Sequence, residues 1–422
     1  MIQRPRGTRD ILPPESQLWQ AVEATTHRVF RAFGAEEIRT PVFEHTELFV
    51  RSVGETTDIV HKEMYTFTDR KGRFLTLRPE GTAGVARAFL ENNLEQKSLP
   101  QRLYYLGPMF RYERMQRGRF REFRQIGLEI IGADSPLADA ECLLALFEFF
   151  TALGFSNLTI HLNNLGDPQD RPAYSKRLRL HLAQSAGELC QDCQRRLVEN
   201  PLRVLDCKVP RCQEVAAEAP AIEEVASEAS RQHVAEVETL LRELQLPYQR
   251  NPRLVRGLDY YVRTVFEVVA PELGTTAVLC GGGRYDRLLA DLGGPDIPGV
   301  GFAVGEDRLV DVLPESFRQR VQSRERLYLV PLGREAWLQG LFVSRALIRS
   351  GIPVELEVTG RSLKAVLKRA DKNGVRWVAI LGTEELANGV LTLRDLREGS
   401  QRQVPWAQLP ELLLGLGERW WP

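Results

Sequence analysis

Along this chain the apolar residues switch between helical spacing and strict alternation, and those switches predict most of its elements. Leu18, Val22, Val29, Phe30 and Phe33 share one helical face over 16–33, and Gly34 stands where a left-handed cap would end the helix. A short strand over 37–40 follows and stops at Pro41. Segments 64–67 and 74–77 alternate around Asp69, Arg70, Lys71 and Gly72, which reads as a hairpin. Pro79 and Gly81 then break the chain ahead of a helix over 83–92. Residues 103–132 read as two strands joined by a polar loop over 115–121. An apolar helix over 137–153 ends at Gly154, and a strand covers 158–163.

The second half is more varied. From 167 to about 248 the texture is charged, helical and rich in Ala, Glu and Arg, which marks an inserted region. A strand is expected over 254–267, approached through Gly257, and another element carries Cys280, Gly281, Gly282, Gly283, Arg284, Tyr285 and Asp286. Residues 299–309 read as a strand entering a helix. After a polar linker near 314–326 the order is strand 327–331, helix 336–350 capped by Gly351, strand 354–358, helix 362–373 capped by Gly374 and strand 377–381. Such a βαβαβ order predicts a small, mostly parallel sheet.

Alternation over the second strand of 103–132 puts Phe123, Gln125, Gly127, Glu129 and Ile131 on one face, and Ile126, Leu128 and Ile130 on the other. The second face is core. The first is a floor, where Gln125 and Glu129 flank a glycine that lets a small polar ligand lie close to the backbone. Arg111 adds a guanidinium fork suited to phosphate or carboxylate, and Arg256 offers a second one. Tyr261 supplies a hydroxyl on a rigid ring. The glycine run at 281–283 would let a flat ring approach the backbone, although such runs are more often bulges or turns. Glu80 and Thr82, at a strand-to-helix junction, read first as helix-capping residues.

Composition narrows the setting. The 422 residues are 43% hydrophobic and 27% charged, an ordinary globular mixture long enough for two or three domains. Lys plus Arg and Asp plus Glu number 56 each, so nucleic-acid binding must come from local patches. Arginines 111, 114, 117, 119, 121 and 124 form one such patch. Arg361, Lys364, Lys368 and Lys372 form another, a stripe that by default is a solvated helix face. No apolar run approaches the roughly 18 residues of a membrane span, and the start MIQRPRGTRD is not a signal segment, so a cytoplasmic protein with reduced cysteines is expected. Cys190, Cys193, Cys207 and Cys212 are two close pairs separated by about a dozen residues, the layout of a structural zinc site or simply four reduced thiols.

Several of these stretches match a family pattern. FRYER, a loop, then GRFREFRQIGLE resembles motif 2 of the class II aminoacyl-tRNA synthetases in its histidyl form. RGLDYY at 256–261 and CGGGRYD at 280–286 resemble the two blocks that set the histidyl members apart, and the segment 299–309 resembles motif 3, with Asp307 where many relatives carry Glu. The helix, strand and proline of 16–41 resemble motif 1, which implies a two-fold dimer.

The resemblance implies an α+β fold: a class II antiparallel sheet flanked by helices over 1–166 and 249–320, a helical insertion over 167–248, and an α/β anticodon-binding domain over 327–422. It implies ATP-dependent attachment of histidine to its tRNA through histidyl-adenylate, with Mg²⁺ on the phosphates. Catalysis then falls to Arg111 and Arg256. Histidine would be held by Glu80, Thr82, Arg111, Gln125, Glu129, Arg256, Tyr260 and Tyr261, with Glu80 and Thr82 at its amino group and the CGGGRYD block lining its pocket. ATP would meet Arg111, Arg119, Phe123 and Arg308, and tRNA would meet Gln116, Arg117, Arg361, Lys364, Lys368 and Lys372. The alternative is a non-catalytic, histidine-sensing regulatory subunit of ATP phosphoribosyltransferase, which shares the catalytic fold but generally lacks the C-terminal unit.

Overall fold

In the computed structural model, which describes residues 2–54, 57–114, 118–271, 273, 278–322 and 325–416, one eight-stranded sheet gathers strands from stretches far apart in the chain. Its order is Glu36–Glu37, Gln101–Phe110, Glu122–Ile131, Gly299–Gly305, Val278–Arg284, Val262–Val269, Thr159–Asn164 and Tyr248–Arg250. The six central strands pair antiparallel, and only the short strand at each end is parallel to its neighbour. A separate three-stranded antiparallel sheet holds Phe43–His45, Phe74–Leu77 and Tyr65–Thr68. Its hairpin turns at Gly72, whose φ is 80°, while the Asp69 carboxylate accepts the amides of Lys71 and Arg73.

Strand alternation gives the large sheet one dry face. Tyr104, Leu128 and Phe302 are cross-strand neighbours on it. Phe30, from the helix Glu15–Ala32, meets Tyr104, Phe302 and Phe149 with ring centroids 5.7, 5.8 and 5.5 Å away. Phe149 belongs to Pro136–Ala152, a helix whose Leu143, Leu146, Phe149 and Phe150 are fully buried. Each such side chain contributes about 1.5–3 kcal/mol by leaving water. The two helices therefore cover this face and leave the other for chemistry. Gly34 and Gly154, with φ of 72° and 91°, end them in the left-handed conformation that the sequence predicts.

The chain divides into two units, Met1–Phe317 and Arg318–Pro422. The segment 167–248 lies within the first and contributes the helices Arg171–Ala183, Gln191–Glu199, Pro210–Ala217 and Glu228–Glu243. The second has a five-stranded sheet in the order Val354–Leu356, Leu327–Pro331, Trp377–Leu381, Val390–Asp395, Gln401–Pro405. The first three strands are parallel, as the βαβαβ order predicts, and the last two add an antiparallel hairpin.

Several elements depart from expectation. The strand at 37–40 shrinks to Glu36–Glu37, since only these two residues reach Leu103 and Tyr104. The polar linker expected at 314–326 contains a helix, Glu315–Gln322, in which Phe317 and Val321, four residues apart, are buried. The strand expected over 254–267 begins only at Val262, where pairing with Arg284 starts, so Arg256, Tyr260 and Tyr261 lie in the irregular approach to it.

Candidate active site

The uncovered face of the large sheet carries a row of glycines, and side chains lie flat on it. A Cβ on Gly127 would stand 2.2 Å from the Tyr105 ring, and one on Gly301 would stand 1.8 Å from Glu129 Oε2. On Gly281 it would meet the Arg256 guanidinium at 2.3 Å, and on Gly283 the Tyr261 ring at 2.9 Å. The glycine run of 281–283 is thus not an open shelf for a flat ligand. Arg256 and Tyr261 from this same chain take the space above Gly281 and Gly283, while Gly282 faces the core against Phe266 and the Gly301 carbonyl.

Within this layer lies a buried polar cluster, the pit. Glu129, 1% exposed, accepts a hydrogen bond from Tyr285 Oη at 2.6 Å and one from Thr82 Oγ1 at 2.7 Å. Burial pushes its carboxyl up to about 8 despite those two donors. Glu80 accepts the amides of Thr82 at 2.7 Å and Ala83 at 2.8 Å, capping the helix Thr82–Glu91, and burial raises it too. The capping role is therefore real. The same helix start places the Thr82 hydroxyl on Glu129. The rings of Tyr260 and Tyr261 pack at a tilt of 54° with centroids 4.6 Å apart, and the Tyr260 ring stands 5.8 Å from that of Tyr285. The hydroxyls of Tyr105 and Tyr260 and Oε1 of Gln125 are buried without a hydrogen bond of ordinary geometry. Such orphaned groups cost about 1–3 kcal/mol each, a cost that a polar ligand would offset.

Beside the pit opens a cavity of about 910 Å³ lined by Arg111, Arg119, Arg256, Arg308 and Phe123. Arg111 Nε donates to the Pro79 carbonyl at 2.8 Å, which holds its fork in place, and its guanidinium lies 5.4 Å from the Phe123 ring centroid. Arg308 Nη1 donates to the Val278 carbonyl at 3.1 Å; burial and then the Arg119 charge lower its pKa. Arg256 Nη1 meets Glu267 Oε1 at 2.5 Å, while its buried Nε has no hydrogen bond. The wall also carries Glu63 and Glu113. Burial raises the Glu63 carboxyl, and the Glu113 charge adds to the shift. Two carboxylates on one wall offer the oxygen donors that a hard divalent cation takes.

Other residues fall elsewhere. Arg284 is not in the pit. It is fully buried on the core face, pairs with Asp139 and donates to the Ala133 carbonyl at 3.0 Å, because strand alternation turns it away from Gly283. Of the side chains in the CGGGRYD block, that of Tyr285 reaches Glu129, while Gly281 and Gly283 form part of the floor itself. Gln116 and Arg117 lie outside the described residues. Lys364, Lys368 and Lys372 are exposed on the helix Leu363–Lys372, and Arg361, also exposed, precedes it. Tyr285 was reached only as part of the CGGGRYD block that the resemblance sets against the pocket. Sequence reasoning missed Tyr105 and Arg203; Tyr105 carries a faint signal in the alternation of its strand. Arg203, which lines the cavity and donates to the Arg256 carbonyl at 2.7 Å, has none.

Comparisons with known proteins bear on this geometry. Residues 7–309 match the family model described as histidyl-tRNA synthetase, and residues 327–416 match an anticodon binding domain. A histidine–tRNA ligase of Desulfitobacterium hafniense is 47% identical over 413 residues, which is 98% of this chain and 97% of the relative. One from Syntrophotalea carbinolica is 48% identical over 410 residues, 97% of each. The apo histidyl-tRNA synthetase structure from S. aureus is 35% identical with a TM-score of 0.80, and the match covers 98% of this chain and 99% of that one.

Proposed function

Because the chain belongs to the histidyl-tRNA synthetase family and so joins histidine to tRNA at the expense of ATP, we propose how the pit and the cavity divide that work. Histidine occupies the pit, where Glu129 accepts its imidazole N–H while Gln125, Tyr260 and Tyr261 frame the ring. Its amino group lies toward Glu80 and Thr82, and its carboxylate toward Arg256. ATP fills the cavity with its phosphates among Arg111, Arg119 and Arg308 and its base near Phe123. The observation that carries this division is the buried Glu129, gripped by Tyr285 and Thr82 and adjoined by unsatisfied polar groups, next to an arginine-lined space.

In the first step a histidine carboxylate oxygen attacks the α-phosphorus and pyrophosphate leaves, giving histidyl-adenylate. Negative charge builds on the α-phosphoryl oxygens, and the forks of Arg111 and Arg256 stabilise it. Preorganisation is what makes them effective: Arg111 is held by the Pro79 carbonyl, Arg256 by Glu267. When bound, Mg²⁺ would be held by Glu63 and Glu113 and would neutralise the terminal phosphates. In the second step a hydroxyl of the tRNA's terminal ribose attacks the acyl carbonyl and AMP leaves. Gln116 and Arg117, outside the described residues, are kept as tRNA contacts, and Arg361, Lys364, Lys368 and Lys372 meet the tRNA backbone from the second unit. The edge strand Glu36–Glu37, at the end of the sheet, is where a second copy would pack as a dimer. Among the described residues no helix is long and apolar enough to cross a membrane.

Matches that span nearly the whole of each ligase, and a second unit that matches the anticodon binding domain, favour this enzyme over a regulatory subunit. The test is histidine-dependent exchange of labelled pyrophosphate into ATP, followed by charging of tRNA. Binding of histidine and ATP without any exchange would overturn the assignment.

A further inference from the structure

The four cysteines that the reaction leaves unused converge in space. Cys190 precedes the helix Gln191–Glu199, Cys193 lies in its first turn, Cys207 follows the turn Pro201–Val204, and Cys212 lies in Pro210–Ala217. Their Sγ atoms all fall within 4.8 Å of one another, and those of Cys190 and Cys207 are 3.9 Å apart. Zinc bound to four thiolates at about 2.3 Å sets the sulfurs roughly 3.8 Å apart, so the cluster needs only a slight contraction to close on one ion. A disulfide, at about 2.0 Å, needs a much larger movement. Backbone amides already face the sulfurs: Cys190 N–H points at Cys212 Sγ at 3.2 Å and Val209 N–H at Cys207 Sγ at 3.5 Å, the hydrogen bonds that settle thiolate charge around a metal.

We propose that Cys190, Cys193, Cys207 and Cys212 hold one structural Zn²⁺ ion, and that this knot fixes a wall of the active-site cavity. Cys193, Cys207 and Cys212 are buried, which leaves no open coordination position for substrate and marks the site as structural. The surrounding core is small. It consists of Tyr174, Leu178, Leu182, Leu189, Leu197, Val204 and Ile222 around the thiols, an assembly of short helices that a metal would reinforce.

The segment between the second and fourth cysteines reaches the cavity. Arg203, Asp206 and Lys208 line it, and Arg203 holds the Arg256 carbonyl. Arg196, on the helix that the metal would tether, donates to Asp58 Oδ2 at 2.6 Å, another wall residue. Losing the ion frees this segment and with it the approach that positions Arg256. This second half rests on the proposed roles of pit and cavity; the metal assignment does not.

Elemental analysis of full-length protein purified without added metal should find about one zinc per chain, with the four thiols protected from native-state titration. Cobalt exchanged into the site should show the visible bands of a tetrahedral thiolate complex, and Cys212→Ser should lose them. The cobalt spectrum of the unaltered chain needs no variant to fold. Chain that binds no stoichiometric zinc and titrates all four thiols overturns the site, and stoichiometric iron overturns the choice of ion. Chelated protein that keeps its far-ultraviolet circular dichroism should be cleaved faster by protease within 167–248, and its KM for histidine should rise several-fold with partial recovery on zinc addition. Unchanged proteolysis and KM after complete zinc removal overturn the link to the cavity. Zinc-loaded protein that shows no pyrophosphate exchange would instead overturn the proposed roles of pit and cavity.

Discussion

The guanidinium of Arg256 occupies the space that a side chain on Gly281 would fill: a Cβ there would stand 2.3 Å from Cζ and from both terminal nitrogens. An arginine can lie flat on a sheet only where the strand beneath it has no side chain, so the two residues form one device.

Gly281→Ala should therefore act on Arg256 and leave the fold intact, because the far end of a flexible side chain yields easily. Pyrophosphate exchange should fall by about 10²–10³, the loss expected when one preorganised donor is misplaced, and Arg256→Ala should match it. Gly282→Ala is the contrast. There the new Cβ would meet the Gly301 carbonyl oxygen at 2.2 Å, backbone that cannot move aside, so thermal stability should fall instead. Near-normal exchange in Gly281→Ala with a shifted Arg256 would remove Arg256 from catalysis.

Glu129 supplies a pH dependence. Its carboxyl is raised from 4.5 to about 8 in the folded chain by burial, so between those values the folded protein holds a proton that the unfolded chain releases. Its contribution to stability is complete below about 4.5 and is lost as pH rises through about 8, at up to about 1.4 kcal/mol per pH unit. Glu306, also raised to about 8, acts in the same window. Glu129→Gln removes only the Glu129 part, so the melting temperature of the variant relative to the unaltered protein should climb from pH 5 to pH 8. A difference that stays flat across that range would mean that Glu129 titrates as an ordinary carboxylate.

The exposed stripe offers a third measurement. Replacing Lys364, Lys368 and Lys372 with Ala should leave pyrophosphate exchange intact while weakening tRNA charging, increasingly so at higher salt. The logarithmic salt dependence of tRNA binding should drop by on the order of one for each phosphate contact removed. Arg369 is the internal control. It sits on the same helix but pairs with Glu355 at 3.4 Å and lies 6.0 Å from the Tyr328 ring centroid, so its replacement should act on stability first. Equal tRNA affinity and salt slope in the triple variant would assign the stripe to solvent.

Which features can be read from the chain alone follows from the range of the interactions involved. Helix ends at Gly34, Gly154, Gly351 and Gly374 were legible because a left-handed cap is a property of one residue and its neighbours. The floor of Gln125, Gly127 and Glu129 was legible because alternation within one strand has a period of two. Tertiary structure decided the rest. Gly281 lies opposite Glu267 and Ala303, and Gly301 opposite Gly283 and, across more than a hundred residues of chain, opposite Glu129. Only those registers bring Tyr285 to Glu129, turn Arg284 away into the core and lay Arg256 over a glycine. The cysteine spacing likewise left two readings open, because the convergence of four sulfurs depends on how three short helical segments pack, and packing is set by contacts between segments rather than by spacing along any one of them.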